Sequence, residues 1–263
     1  MEIVICEDAA EIGRIAASKI IDLVRRKPTA AIGLATGSSP LGIYAELAHA
    51  VARGELDMSR AHGFALDEYV GIELEHPQSY YSVIHREVVE RLSMDPARVH
   101  VPDGRAADLH SACDAYEEAI EQAGGVDLQI VGIGSNGHIG FNEPTSSFGS
   151  RTRVKALAPQ TRADNARFFD SLDQVPTLCL TQGLGTIMDA REVVLVAQGE
   201  HKADAIAAAV EGPMAAVMPA SVLQGHRYAT VIIDEAAASK LQYTEYYRHA
   251  WNTKPERAVS AAV

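Results

Sequence analysis

The chain has 263 residues and is 47% hydrophobic, enough for one large α/β domain or two small ones. Its 35 Asp and Glu outnumber its 23 Lys and Arg, giving a formal net charge of −12. An acidic chain without a basic run is a poor partner for nucleic acid or an anionic membrane, so the cations for any anionic ligand must be local.

Residues 2–6 read as a short strand. Asp8 stands where it would cap the next helix, in which Ile12, Ile15, Ala16, Ile20 and Leu23 share a face. Lys27-Pro28 ends that helix. A buried strand over 30–35 runs into Thr36-Gly37-Ser38-Ser39-Pro40 and then a helix over 41–52. A third strand, 63–66, ends at Asp67-Glu68-Tyr69. After His76-Pro77 a helix covers 79–92, a short strand 98–101, and a helix 107–123. The apolar run 126–133 leads into a turn-rich loop, Gly132-Ile133-Gly134-Ser135-Asn136-Gly137-His138-Ile139-Gly140-Phe141-Asn142-Glu143-Pro144. Beyond it the pattern predicts strands at 152–157, 177–181, 193–197 and 229–233. Helices are predicted at 161–169, from Gly183, at 202–211 and at 235–247.

Strands alternating with helices predict an α/β fold with a mostly parallel open sheet and helices on both faces, Rossmann-like and doubly wound. No composition shift, linker or repeat divides the chain. The expectation is a single domain over 1–250 and an aperiodic C-terminal tail, 251–263. Cys6, Cys113 and Cys179 are widely spaced, with neither a disulfide framework nor zinc spacing, which suits a reducing cytoplasm. The first apolar run meets Glu7 and Asp8 at once, unlike a signal peptide, and no apolar run approaches the roughly 20 residues that span a bilayer.

In open α/β sheets ligands bind beyond the carboxyl ends of the strands. Four stretches sit at such ends. Thr36 to Pro40 combines free backbone N–H groups at a helix start with small hydroxyls, a natural cradle for an anion such as phosphate, although it lacks P-loop spacing. The bland alternative is a helix cap with Pro in the first turn. Asp67 is placed to be a general base, with Glu68 beside it leaving the assignment ambiguous. His138 and Glu143 form a pair in which the carboxylate orients the imidazole and stabilises its charged form, with Asn136 within the same network. Lys202 and Arg167 offer the local positive charge that a phosphate needs, unless they are ordinary solvated cations. Without a nucleophile elbow or a His pair at metal spacing, the pattern points to acid–base chemistry.

Together these stretches resemble the glucosamine-6-phosphate deaminase family. Thr36-Gly37-Ser38-Ser39-Pro40 resembles its phosphate loop, and Leu66-Asp67-Glu68-Tyr69-Val70-Gly71 its second motif, followed by His76-Pro77 and Ser79-Tyr80-Tyr81. Gly134 to Pro144 resembles its signature loop, and Ser150-Arg151-Thr152-Arg153, Arg167-Phe168-Phe169 and Val210-Glu211-Gly212 follow in order. The resemblance implies conversion of D-glucosamine 6-phosphate and water to D-fructose 6-phosphate and ammonia, with no organic cofactor and no metal. It assigns ring opening to His138, held and polarised by Glu143 and Asn136, and proton transfer from C2 to C1 to Asp67. Phosphate binding falls to Thr36, Gly37, Ser38, Ser39, Arg167 and Lys202. Some members carry Asp where this chain has Asn136, which leaves His138 more dependent on Glu143. A 6-phosphogluconolactonase shares the general fold but would not require the Asp67 base or this signature loop. A sugar-phosphate sensor would usually carry a DNA-binding helical module, for which there is no room before Ala30.

Allosteric members bind N-acetylglucosamine 6-phosphate between subunits. They use a Ser after the Glu-Pro, an Arg and a Lys two residues apart, and a Tyr near the C-terminus. The matching positions are Ser146, Arg153, Lys155 and Tyr246. On a strand Arg153 and Lys155 point to one face. They fit an effector phosphate, which implies a homo-oligomer, a hexamer in the allosteric members. They fit equally an exposed basic strand edge that discourages aggregation.

Overall fold

A computed structural model describes residues 1–254 of the chain. Ten strands follow in chain order: β1 Glu2–Cys6, β2 Ala31–Leu34, β3 His62–Ala65, β4 Asp67–Tyr69, β5 Val99–His100, β6 Leu128–Val131, β7 Arg153–Ala156, β8 Leu178–Thr181, β9 Glu192–Ala197 and β10 Ala229–Asp234. Seven of them form one sheet in the order β1-β10-β9-β6-β2-β3-β5. Every pairing in it is parallel. Parallel strands need crossover connections, and the helices between them supply these.

The central strands read as apolar runs because both faces are covered. All four residues of β2 and of β6 are buried. Ile32, Phe64, Ile130, Val194 and Ile232 are at most 1% exposed. Each such side chain contributes roughly 1.5–3 kcal/mol through burial. Among the flanking helices, Ala9–Arg26 starts at Asp8, whose Oδ1 accepts the Glu11 N–H at 2.8 Å. It packs on Leu41–Ala52 where glycines face each other: a Cβ on Gly13 would lie 2.9 Å from the Gly42 carbonyl.

Strand order also locates a crevice. From β2 the chain moves outward to β3 and β5, whereas from β6 it moves the other way, to β9 and β10. β2 and β6 are neighbours, so the loops leaving their carboxyl ends diverge and leave a gap between them.

Three strands depart from a wholly parallel reading. β4, β8 and β7 form a separate antiparallel sheet. The predicted strand ending at Asp67 stops at Ala65, and Asp67 opens β4 instead, opposite Thr181. This small sheet has its own core of Tyr69, Ile72, Phe141, Leu157 and Cys179. The helix predicted over 235–247 is broken into Glu235–Ala238 and Thr244–Asn252. The break is stabilised by the Glu211 carboxylate, which accepts the backbone N–H groups of Gln242 and Tyr243 at 2.9–3.1 Å, and by burial of Leu241. The final helix therefore extends past residue 250. Trp251 packs against the core, and positions 255–263 of the expected tail lie outside the described residues. The helix predicted over 79–92 forms, with a π-helical turn, His85–Val89, between Tyr80–Ile84 and Glu90–Leu92. Among the described residues no helix is long and apolar enough to cross a membrane.

Candidate active site

The gap beyond β2 and β6 opens into a cavity of about 760 Å³. Its walls include Thr36, Gly37, Ser38, Ser39, Asp67, His138, Arg167 and Lys202, drawn from five separate segments. Asn136 and Glu143, the other two expected site residues, do not line it and instead support His138 from behind.

Glu143 is 6% exposed, and both of its oxygens are engaged. Oε2 accepts Asn136 Nδ2 at 2.8 Å and lies 3.6 Å from His138 Nδ1. Oε1 accepts the Thr161 hydroxyl at 2.6 Å and the Ala158 N–H at 3.1 Å. Burial alone would raise its pKa. The neighbouring His138 ring, the Thr161 hydroxyl and the Ala158 amide outweigh that and hold the carboxyl at about 2. Glu143 is thus a fixed negative charge beside the imidazole. Asn136 stands in the same network as the pair, as its spacing suggests. Its amide goes to Glu143, and its Oδ1 accepts the His138 backbone N–H at 3.2 Å. Gly134 explains the close packing here, because a Cβ at that position would overlap the His138 ring.

The ambiguity between Asp67 and Glu68 resolves geometrically. Glu68 is committed to structure: its oxygens accept the N–H groups of Tyr69, Tyr80 and Tyr81 at 2.8–3.0 Å, which ties β4 to the start of Tyr80–Ile84. Asp67 is 5% exposed and faces the cavity, with no hydrogen bond from a described residue on its carboxylate. Burial, and then the adjacent Glu68 charge, push its pKa well above the ordinary carboxylate value. A buried, unpaired carboxylate at a cavity wall is poised to take up a proton.

At the Thr36 to Ser39 end, the helix Leu41–Ala52 takes Pro40 as its N-cap, with no side-chain capping bond. Pro40 thus stands at the helix start as the cap alternative expected, while the Ser38 and Ser39 hydroxyls make no capping bond and both residues line the cavity. Burial lowers the Lys202 pKa; Asp164 opposes this shift and Arg167 adds to it. Arg167 rests its guanidinium 4.7 Å from the Phe168 ring centre. Lys202 ends a 3-10 turn, Glu200–Lys202, and the helix predicted from it begins at Ala203.

Several lining residues have no local sequence pattern that marks them as part of a site. Tyr80 donates its hydroxyl to the Tyr69 hydroxyl at 3.3 Å, and Asn165 Nδ2 donates to the same Tyr69 oxygen at 2.9 Å. The Tyr69 and Tyr80 rings stand 4.9 Å apart. Tyr69 lies within the Leu66 to Gly71 motif and Tyr80 within Ser79-Tyr80-Tyr81, which is the signal the sequence holds for them. Thr161, Asp164 and Asn165 come from the helix Pro159–Asn165, which begins two residues earlier than predicted because Pro159 suits a first turn.

The four expected effector residues are not assembled within one chain. Ser146 is buried and donates its hydroxyl to the Glu143 carbonyl at 2.7 Å. Arg153 and Lys155 alternate on β7, at an edge of the small sheet. Tyr246 is 67% exposed on Thr244–Asn252, a helix that packs on β1, at an edge of the large sheet.

Comparison with known proteins accords with this architecture. Residues 7–232 match the family described as glucosamine-6-phosphate isomerases/6-phosphogluconolactonase. The chain belongs to that family. A glucosamine-6-phosphate deaminase of Pseudarthrobacter chlorophenolicus is 60% identical over 255 residues, covering 97% of this chain and 98% of the relative. A solved structure of a monomeric glucosamine-6-phosphate deaminase is 40% identical, with a TM-score of 0.89, covering 91% of this chain and 100% of that one. A 6-phosphogluconolactonase from Trypanosoma cruzi aligns with a TM-score of 0.75 at 20% identity, over 92% of this chain and 97% of that one, and shares the fold alone.

Proposed function

We propose that the chain is a glucosamine-6-phosphate deaminase, converting D-glucosamine 6-phosphate and water to D-fructose 6-phosphate and ammonia. The observation that carries this reading is the pairing, around one cavity, of an unpaired buried Asp67 with a His138 backed by Glu143. The names and identities of its relatives support the same substrate.

The residues divide the work. The loop from Thr36 to Ser39, with Lys202 and Arg167, holds the phosphate, and this remote binding energy positions the sugar. His138 moves a proton between the C1 hydroxyl and the ring oxygen to open the pyranose, and Glu143 stabilises the imidazolium formed on the way. Asp67 removes the C2 proton to give an enolamine and returns a proton to C1. The resulting C2 imine adds water and releases ammonia, leaving the ketone. Holding the open-chain form against Asp67 contributes on the order of 7–11 kcal/mol in favourable cases of this kind.

The test is ammonia release from glucosamine 6-phosphate by the purified protein, with lactone hydrolysis assayed in parallel. Ammonia and fructose 6-phosphate in equal amounts are expected. Lactone hydrolysis without ammonia would replace this reading by the 6-phosphogluconolactonase one.

An effector site at Arg153 and Lys155 is a second, separable part of the proposal. Two cations on one strand face suit the phosphate of N-acetylglucosamine 6-phosphate. Tyr246 would have to come from a neighbouring subunit of a homo-oligomer. Sedimentation velocity and saturation curves with and without this effector test it, and a monomer indifferent to the effector would remove it. Three free, buried cysteines support placing the protein in the cytoplasm.

A further inference from the structure

Glu143 touches more than His138. Its Oε1 lies at the start of the helix Pro159–Asn165, where Ala158 occupies the cap position without a side-chain capping bond. The carboxylate meets this helix start from outside, accepting the Ala158 N–H and the Thr161 hydroxyl. The Thr161 bond, at 2.6 Å, is shorter than the bonds that the Glu143 carboxylate accepts from Asn136 and Ala158, and Thr161 is only 3% exposed. A buried hydroxyl donating to a charged oxygen fixes the carboxylate plane more firmly than neutral pairs do. With Oε1 pinned, Oε2 is directed toward Asn136 and His138 Nδ1.

We infer that Thr161 is a positioning residue for the deaminase reaction, acting on the histidine through Glu143. Its hydroxyl donates to Glu143 and not to His138, although Thr161 also lines the cavity. It sets which way the Glu143 charge faces, and so how strongly that charge stabilises the imidazolium during ring opening. The same helix presents Asp164 and Asn165 to the cavity, and Asn165 bonds the Tyr69 hydroxyl. The helix is therefore tied to the site at two points, one of them the carboxylate that serves the histidine. This inference rests on the roles proposed above for His138 and Glu143.

The experiment is a double-mutant cycle in steady-state ammonia release, using Thr161→Val, Glu143→Gln and the pair. Thr161→Val preserves shape and removes the donor. It is expected to lower kcat by about 10- to 100-fold, the range for losing a hydrogen bond to a charged group. KM should hardly change, and Thr161→Ser should restore most of the rate. In the Glu143→Gln background, Thr161→Val should add less than about twofold, because the two act through one interaction. Independent, multiplicative losses would overturn the inference, as would a Thr161→Ser variant as slow as Thr161→Val. If Thr161→Val does not fold, Thr161→Ala takes its place in the cycle. Wild-type rates in Glu143→Gln alone would instead overturn the underlying assignment of Glu143, a distinct result from failure of the cycle.

Discussion

Asp67 and Glu143 are both carboxylates, both at most 6% exposed, and both within one site, yet their environments drive them in opposite directions. Asp67 projects from the small antiparallel sheet into the cavity with no hydrogen-bond donor from a described residue on it, and its pKa is raised by burial and by Glu68. Glu143 sits in the loop after β6 among an amide, a hydroxyl, a backbone N–H and an imidazole, and its pKa falls to about 2. Both are nearly closed to solvent; what differs is the set of donors and the imidazole around Glu143 against the Glu68 charge beside Asp67. Pairs of acids pushed apart in this way mark the division between a group that moves protons and a group that stays charged.

The sharpest way to break this comparison is Asp67→Asn, which keeps the shape and removes the proton acceptor. General base catalysis is worth roughly 10²- to 10⁴-fold, so kcat for ammonia release should fall by at least that much, with KM little changed. Near-normal turnover would move the base elsewhere.

Glu143→Gln sharpens the contrast through stability. A carboxyl whose folded pKa is depressed stabilises the fold above its unfolded pKa, and that contribution fades as pH falls through the folded value. With a shift from 4.5 to about 2, Glu143 contributes roughly 3 kcal/mol above pH 4.5, lost between about pH 4.5 and 2. Urea unfolding across this range should show the wild-type advantage over Glu143→Gln shrinking as the pH drops. A difference independent of pH would contradict the depressed pKa.

Lys202→Ala tests the remote end of the cavity, away from both acids. It should weaken the phosphorylated substrate by about 1.5–3 kcal/mol, read as KM, the range for hydrogen bonds to charged groups. Glucosamine without phosphate should be a very poor substrate of the parent enzyme and little affected by the change. Equal losses on both would separate Lys202 from the phosphate.

The smallest effect concerns Asp67 again, with the opposite sign to Glu143. A carboxyl whose folded pKa is raised destabilises the fold at neutral pH, and the penalty is relieved as pH falls toward the unfolded value. Asp67→Asn should therefore raise Tm at pH 7, with the gain shrinking as the pH falls through the ordinary carboxylate range and both states become protonated. A lower Tm at pH 7 would mean that Asp67 has a partner in the fold.

Much of this was determined by the sequence alone. Apolar runs broken at Gly, Pro and Asn placed the strands of the large sheet, because a strand buried on both faces has no polar positions to spare. The motifs located Thr36 to Ser39, Asp67, His138, Glu143, Arg167 and Lys202 at strand ends or in the adjoining segments. Tertiary structure decided the rest. The antiparallel pairing of β8 with β4 and β7 was not legible, because three- and four-residue strands carry too short a period to reveal their partners. The choice between Asp67 and Glu68 depended on three backbone N–H groups, two of them from a helix more than ten residues away. Thr161 lies 18 residues from the carboxylate it holds, and no local pattern distinguishes it from any other helical threonine. Local sequence sets which backbone a segment adopts, whereas a carboxylate's charge depends on donors that only chain folding brings within hydrogen-bond reach.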